Sequence, residues 1–416
     1  MTTAIKMAMG CLAGLLVQGA MAAEPSISGV TVRQRWPWSK LVDIDYVLDC
    51  EGTQRLDIAV SGYNASTALG LLPGDSLSGD LYSVSEGTHR ITWDPTATSC
   101  TNAGVLGKFH VALVPTPPPV YLIIDLTKAA GATNQVEYIC PGDSRLETYG
   151  RWTNVWFGVT NDTETYKTDK LVLRRVPAGT VSMGQEEWPP KINATLTHDF
   201  YAGVFEVTAT QWNRIMGAGS LSARPKGTMT YNDLRGATND SPSINWPATG
   251  HSVTPTNFIG RLRGKTGFGG FDLPTEAQWE CLCRAGTASY WSDGLSASKA
   301  ETNIMNELGW WYPGNSAGHS HSVGEKLANC WGIYDTHGNV GEWVLDWVGA
   351  LTGGIDPEGP TSSLTGRMNR GGGYYSSPEY CRSAYASYYR YNINGGGSAP
   401  TAKYDYVGFR LVLNLP

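Results

Sequence analysis

Cys381 stands alone in a stretch of tyrosines, serines and glycines near the C-terminus. As a thiolate it would be a nucleophile or a soft metal ligand. The same stretch carries Tyr374, Tyr375, Tyr380, Tyr385, Tyr388, Tyr389 and Tyr391. Tyrosine mixed with serine, glycine and asparagine is the composition of binding loops, since it joins rigid contact area to adaptable hydrogen bonding. So many hydroxyls cannot all be core, because each would need a partner. The stretch therefore reads as a surface loop. It opens after Asn369 and closes on Val407, Phe409, Leu411 and Leu413, whose alternation has the period of a strand. His319 and His321 are a weaker pair: alternate histidines with no third ligand nearby read as solvated loop.

These residues must be held by elements that the sequence marks at their ends. Thr208-Ala209-Thr210-Gln211 is a capping box before Trp212, Ile215 and Met216, with Gly217 as the stop. Thr254-Pro255 predicts a second helix through Phe258, Ile259 and Leu262, and Thr275-Glu276-Ala277-Gln278 a third, ending at Gly286. Cys281 and Cys283 lie on that third helix about 200° apart, so they face opposite ways and cannot share a metal. Short strands, glycine turns and tryptophans surround these helices. Residues 171–416 thus read as an α+β domain with little regular structure.

Before it, the pattern is period two. Val42, Ile44, Tyr46, Leu48 and Cys50 share one strand face and Asp43, Asp45 and Asp49 the other; Leu56, Ile58 and Val60, then Phe109, Val111 and Leu113, repeat the device. Residues 24–113 are expected to form an immunoglobulin-like β-sandwich with a Cys50–Cys100 disulfide. Residues 114–170 read as a connecting segment that begins with the proline run 115–119 and holds one strand at 120–126.

The chain has 416 residues, with 50 Gly, 15 Trp and 21 Tyr but only 16% charged residues, and this length suits two or three domains. Its net charge of −6 argues against nucleic acid or an anionic membrane as the main partner, as both call for a basic face. Lys6, the apolar run Met7–Val17 and Ala20-Met21-Ala22 fit a secretory leader over residues 1–23, too short to span a bilayer. No later stretch reaches spanning length. The expected product is exported, periplasmic or extracellular, where disulfides are permitted. The seven cysteines after the leader are an odd number, so at least one is a thiol or an intermolecular partner.

From Leu171 onward the blocks Leu171-Val-Leu-Arg-Arg-Val-Pro-Ala-Gly-Thr-Val-Ser-Met-Gly184, Phe205-Glu-Val-Thr208 with Trp212, Leu273-Pro-Thr-Glu-Ala-Gln-Trp-Glu280, Cys283-Arg-Ala-Gly286, Trp331-Gly-Ile-Tyr-Asp335, Gly338-Asn-Val-Gly-Glu-Trp343, Arg370-Gly-Gly372 and Val407-Gly-Phe-Arg410 follow one another. Their order and spacing resemble the formylglycine-generating enzyme, or sulfatase-modifying factor, family. The resemblance implies that family's coil-rich, C-type-lectin-related fold. Active members use oxygen and a copper ion held by two cysteines to oxidise a sulfatase cysteine to formylglycine. Matched block to block, the second cysteine of that pair falls on Cys381 and the first on Ser376, whose neutral, hard hydroxyl does not replace a copper thiolate. The pattern departs again at Gly341 and at Arg382-Ser383-Ala384-Tyr385. The resemblance further implies a disulfide from Cys283 to Cys381 or Cys330. It also implies a structural calcium ion held by the carboxylates of Asp335 and Glu342 and the carbonyls of Gly338 and Val340, the hard oxygen donors that calcium takes.

Two functions compete. In the first, the lectin-like scaffold has lost its oxidase and binds a protein or carbohydrate ligand through the tyrosine loop, which also resembles the variable loops of lectin-fold proteins diversified by retroelements. In the second, the protein is an active oxidase with Cys381 as its thiol and an exported sulfatase as partner.

Overall fold

A computed structural model describes residues 24–65, 67–72, 76–97, 108–149, 152–160, 165–185, 191–293, 302–362, 366–385 and 399–415. The proposed leader, Cys100, Tyr388, Tyr389 and Tyr391 lie outside the described residues. The chain divides into two units, one of Met1–Tyr121, Val136–Ser144 and Leu415–Pro416, the other of Leu122–Gln135 and Arg145–Asn414.

Alternation builds the first unit. Val42, Ile44, Tyr46 and Leu48 point inward from the strand Val42–Asp49, each at most 1% exposed, and meet Leu56, Ile58, Val60, Ile91 and Trp93 in one core. Two antiparallel sheets enclose it. One runs in the order Ser26–Gln34, Val42–Asp49, Gly87–Trp93, Leu77–Gly79, and the other Thr67–Leu71, Asp57–Asn64, Phe109–Thr116. Trp93 stacks on Phe109 at 4.6 Å. The inward phase that buries Tyr46 and Leu48 also carries Cys50 into the core, where its thiol faces the Gln54 carbonyl. Cys50 is a reduced thiol, so the expected Cys50–Cys100 bridge is not made; among the described residues Cys140 is disulfide-bonded. Within residues 114–170 the strand expected at 120–126 forms as Tyr121–Asp125 beside Lys170–Val176, and Pro115 of the proline run pairs with Ile58.

The second unit combines short strands and short helices in much irregular chain. Its central sheet places Phe271–Asp272, Val412–Asn414, Phe200–Gly203, Lys170–Val176 and Tyr121–Asp125 side by side. Both expected capping boxes form. Thr208 Oγ accepts from Gln211 N at 3.2 Å while Gln211 Oε1 accepts from Thr208 N at 3.0 Å, opening the helix Ala209–Met216. Thr275 and Gln278 open Glu276–Arg284 in the same way. A third box, Thr230 with Asp233, was hidden because aspartate replaces the usual glutamate or glutamine. The helix expected from Thr254-Pro255 starts later, at Phe258–Thr266 behind Asn257, because Asn257 N first closes a turn onto Thr254 O.

The C-terminal alternation makes two strands instead of one. Val407–Phe409 runs parallel to Gly341–Trp347, and Val412–Asn414 pairs with Phe200–Gly203 in the central sheet. Arg410 lies at the break. Its guanidinium, 0% exposed, donates to both Glu342 oxygens at 2.7 and 3.1 Å and to the carbonyls of Gly203 and Tyr334. Glu342 also accepts from Trp279 Nε1 at 2.7 Å. A second buried network joins Arg370 to Glu280, which also pairs with Arg284 at 2.8 Å. Removing one partner of such a pair strands a charge. Arg410→Met should cost about 3–5 kcal/mol in urea unfolding, and the double variant Glu342→Gln/Arg410→Met distinctly less.

Candidate functional site

The strand Gly341–Trp347 positions the tyrosine loop. Arg367–Arg370 pairs antiparallel on one side, with Glu342 opposite Arg370, and Val407–Phe409 parallel on the other, with Glu342 opposite Gly408. The chain leaves this small sheet at Gly371 and returns to it at Val407. Gly372 sits at φ +67°, and a Cβ there would fall 2.6 Å from Tyr380 O and 2.8 Å from Cys381 Sγ. Only glycine permits this crossing, which presses the loop against Cys381.

Cys381 is 0% exposed and packs with Trp291, Met305, Leu308 and Trp311. Its thiol faces the Ser377 carbonyl at 3.7 Å, and burial, with the Glu379 charge adding, pushes its pKa far up. Ser376 is held inside its own turn: its Oγ accepts from Gly373 N at 3.0 Å, and its N donates to Gly373 O at 2.7 Å. A protonated core thiol and a turn-bound hydroxyl do not fit a two-thiolate copper centre. The expected disulfides from Cys283 are likewise not made. Cys283, Cys330 and Cys381 are reduced thiols, with Cys283 Sγ facing Thr336 O and His337 Nε2 and Cys330 Sγ facing Ser292 O. His337 donates from Nδ1 to Cys381 O at 2.8 Å and meets Ser292 N through Nε2 at 3.2 Å, binding the loop to its support.

The carboxylates expected to hold calcium are separated in role. Arg410 and Trp279 engage both Glu342 oxygens. Asp335 is also buried; Oδ2 accepts from Gly324 N at 2.7 Å, and Oδ1 has no hydrogen-bond partner. Glu206, which sequence reading had not singled out, joins them: its Oε2 accepts from Asn339 Nδ2 at 2.7 Å and its Oε1 from Val340 N at 3.1 Å. Burial raises the Glu206 pKa well above the ordinary carboxyl value, reinforced by the charges of Asp335 and Glu342. Of the expected calcium donors, Asp335 Oδ1 is a carboxylate oxygen left without a hydrogen bond, while both Glu342 oxygens are engaged by Arg410 and Trp279. Among the described residues no group of three or more His, Cys, Asp or Glu is placed to hold a metal ion. His321 stacks on Trp310 at 3.7 Å with Nε2 on the Ser316 carbonyl.

The described tyrosines form two groups. Tyr380 and Tyr385 pack together at 5.0 Å beside Arg382, whose guanidinium donates to Gln185. Tyr374 and Tyr375, 4.4 Å apart, begin a ladder that continues from Tyr375 to Tyr406 at 6.1 Å and from Tyr406 to Tyr404 at 5.2 Å. Tyr374 is its buried foot; burial and the Asp405 carboxylate hold its phenol above the ordinary value. Tyr375 is 55% exposed, Tyr406 39% and Tyr312, whose N donates to Ser376 O, 52%. Tyr312, Tyr404 and Tyr406 were missed because they lie outside the run 374–391. For Tyr404 and Tyr406 the signal is their spacing of two just before the Val407 strand.

This fold and these blocks coincide with a family. The sulfatase-modifying factor enzyme 1-like domain matches residues 157–415, and the chain belongs to that family. Over 261 residues it is 27% identical to the chaperone protein LppX of Paenibacillus barcinonensis, covering 55% of this chain and 86% of that one. Over 151 residues it is 32% identical to the formylglycine-generating enzyme of Streptomyces coelicolor, covering 33% of this chain and 45% of that enzyme, so it spans under half of that relative's length. Among solved structures, Treponema denticola variable protein 1 matches with a TM-score of 0.45 at 23% identity, covering 61% of this chain and 99% of that one.

Two outcomes follow from the site. Cys381 should resist iodoacetamide in the folded protein and react in denaturant, and Cys381→Ala should lose about 1 kcal/mol, the scale of one small buried group. Burial pushes Asp335 up to about 6 from 3.8, so the folded state holds its proton more tightly than the unfolded chain. The stability this contributes is present below about pH 4 and is lost as the pH rises through about 6. Asp335→Asn should flatten that decline in a pH series of urea unfolding.

Proposed function

We propose that this protein is an exported binding protein that keeps the formylglycine-generating-enzyme scaffold without its oxidase chemistry. The observation that carries the reading is Cys381: 0% exposed, its thiol held protonated, with serine where a second thiolate would be needed. The ligand, a protein or carbohydrate, docks on the exposed edge of the tyrosine ladder, Tyr375 and Tyr406 with Tyr312 beside them, together with Tyr388, Tyr389 and Tyr391 of the same loop. Rigid phenols give contact area at small entropic cost, and their hydroxyls stay in water until a partner engages them. The relative named as a chaperone supports a role in binding rather than oxidation. The N-terminal sandwich, which we read as immunoglobulin-like, carries the binding unit.

The test has two arms. Purified protein with monovalent copper and oxygen should leave a Cys-x-Pro-x-Arg peptide unmodified by mass spectrometry; conversion to formylglycine would establish the oxidase instead. On peptide and glycan arrays, Tyr375→Ala/Tyr406→Ala should bind its best ligand at least tenfold more weakly with unchanged circular dichroism. Equal binding by the double variant would remove the ladder from the contact surface. A near-identical template repeat in the flanking DNA would mark the loop as diversified, and its absence would leave an ordinary binding loop.

A further inference from the structure

Trp36, Pro37 and Trp38 occupy the tip between the strands Ser26–Gln34 and Val42–Asp49. The tip is closed on itself. Arg35 N donates to Leu41 O at 2.9 Å, Ser39 N to Arg35 O at 3.1 Å and Leu41 N to Ser39 Oγ at 3.1 Å. On this braced turn Trp38 is 91% exposed and Trp36 45%, while Trp93, Trp279, Trp291 and Trp343 are fully buried. Packing therefore does not explain the tip's rings.

Charge says what covers them. Arg33 and Arg35 reach over Asp43, with side chains 69% and 41% exposed against 2% for the carboxylate. Lys40 is exposed on the other flank, within the field of Asp94. The tip thus presents two exposed indoles on a turn that also carries exposed Arg35 and Lys40, with Arg33 exposed on the strand leading into it; Arg33 and Arg35 share the Asp43 carboxylate. We propose that this tip docks on an anionic lipid bilayer, with the indoles at the headgroup level and Arg33, Arg35 and Lys40 against the lipid phosphates. Tryptophan concentrates at that interface, where its ring is apolar and its N–H is wet, and basic side chains are drawn to anionic leaflets. A turn this short with two large rings falls well below the ~800 Å² a protein partner buries per side. A protruding turn also lacks the concavity of a small-molecule site. The whole-chain charge of −6 confines the attraction to the tip. Because the turn is already hydrogen-bonded, docking needs little ordering.

The test uses the full chain and vesicles of phosphatidylglycerol with phosphatidylcholine, part of the lipid carrying bromine in the upper acyl chain. Residues 1–23 contain no tryptophan, so quenching of indole emission is blind to the leader. Wild-type emission should be partly quenched on anionic vesicles and at least tenfold less so on pure phosphatidylcholine; Trp36→Ala/Trp38→Ala should abolish the quenching with unchanged circular dichroism. Lys40→Glu, which leaves both rings in place, should weaken it several-fold. The proposal is overturned by no quenching of wild type, by equal quenching of the double variant, by equal quenching on neutral vesicles, or by protection of the rings by soluble glycans but not vesicles.

Discussion

The buried pairing of Arg410 with Glu342 is the constraint on which the C-terminal unit depends. It bends the chain between Val407–Phe409 and Val412–Asn414, so that one stretch serves two sheets. Through Trp279 it also fixes the helix Glu276–Arg284 against the strand Gly341–Trp347. Two ions out of water are expensive, and their attraction offsets that cost only if every remaining donor is satisfied. Arg410 comes close by adding the Gly203 and Tyr334 carbonyls to its carboxylate, so that each of its three nitrogens donates. A fold rich in irregular chain has few ladder hydrogen bonds to define it, and here buried charge supplies much of the definition.

That explains what sequence could and could not tell. Glu276, Glu280, Arg284, Glu342, Arg370 and Arg410 all lie in the family blocks, and all are buried. The family was legible because its signature is largely this interior ionic frame. Glu342, which the resemblance implies as a calcium donor, is in space the partner of Arg410. The capping boxes at Thr208 and Thr275 were legible since each is closed by residues three apart. The break at Arg410 was not, because the alternation of Val407, Phe409, Leu411 and Leu413 passes through it unchanged. The first unit's core followed directly from period two, and so did the inward turn of Cys50 that prevents the bridge expected for it.

At the site, one run of tyrosines is divided in space. Seven tyrosines in one run suggested one surface, yet Tyr380 and Tyr385 flank Arg382 while Tyr374 and Tyr375 turn to Tyr406 and Tyr404. No spacing rule pairs Tyr375 with Tyr406; the sheet that sets Arg370 and Gly408 on either side of Glu342 does. Glu206 was invisible for a similar reason. It meets Val340 and Asn339 only after the chain has folded across more than a hundred positions.

The attachment of residues 371–406 to both neighbours of a single strand has a consequence for how this protein can change. The two anchor points stay fixed, two strand spacings or roughly 10 Å apart, whatever lies between them. Closing the intervening chain then depends on its length only logarithmically, about 0.6 kcal/mol for each doubling. Past the Gly372 crossing and the buried thiol, a span anchored in this way tolerates exchange of its length and sequence while the ionic frame beneath keeps the same fold.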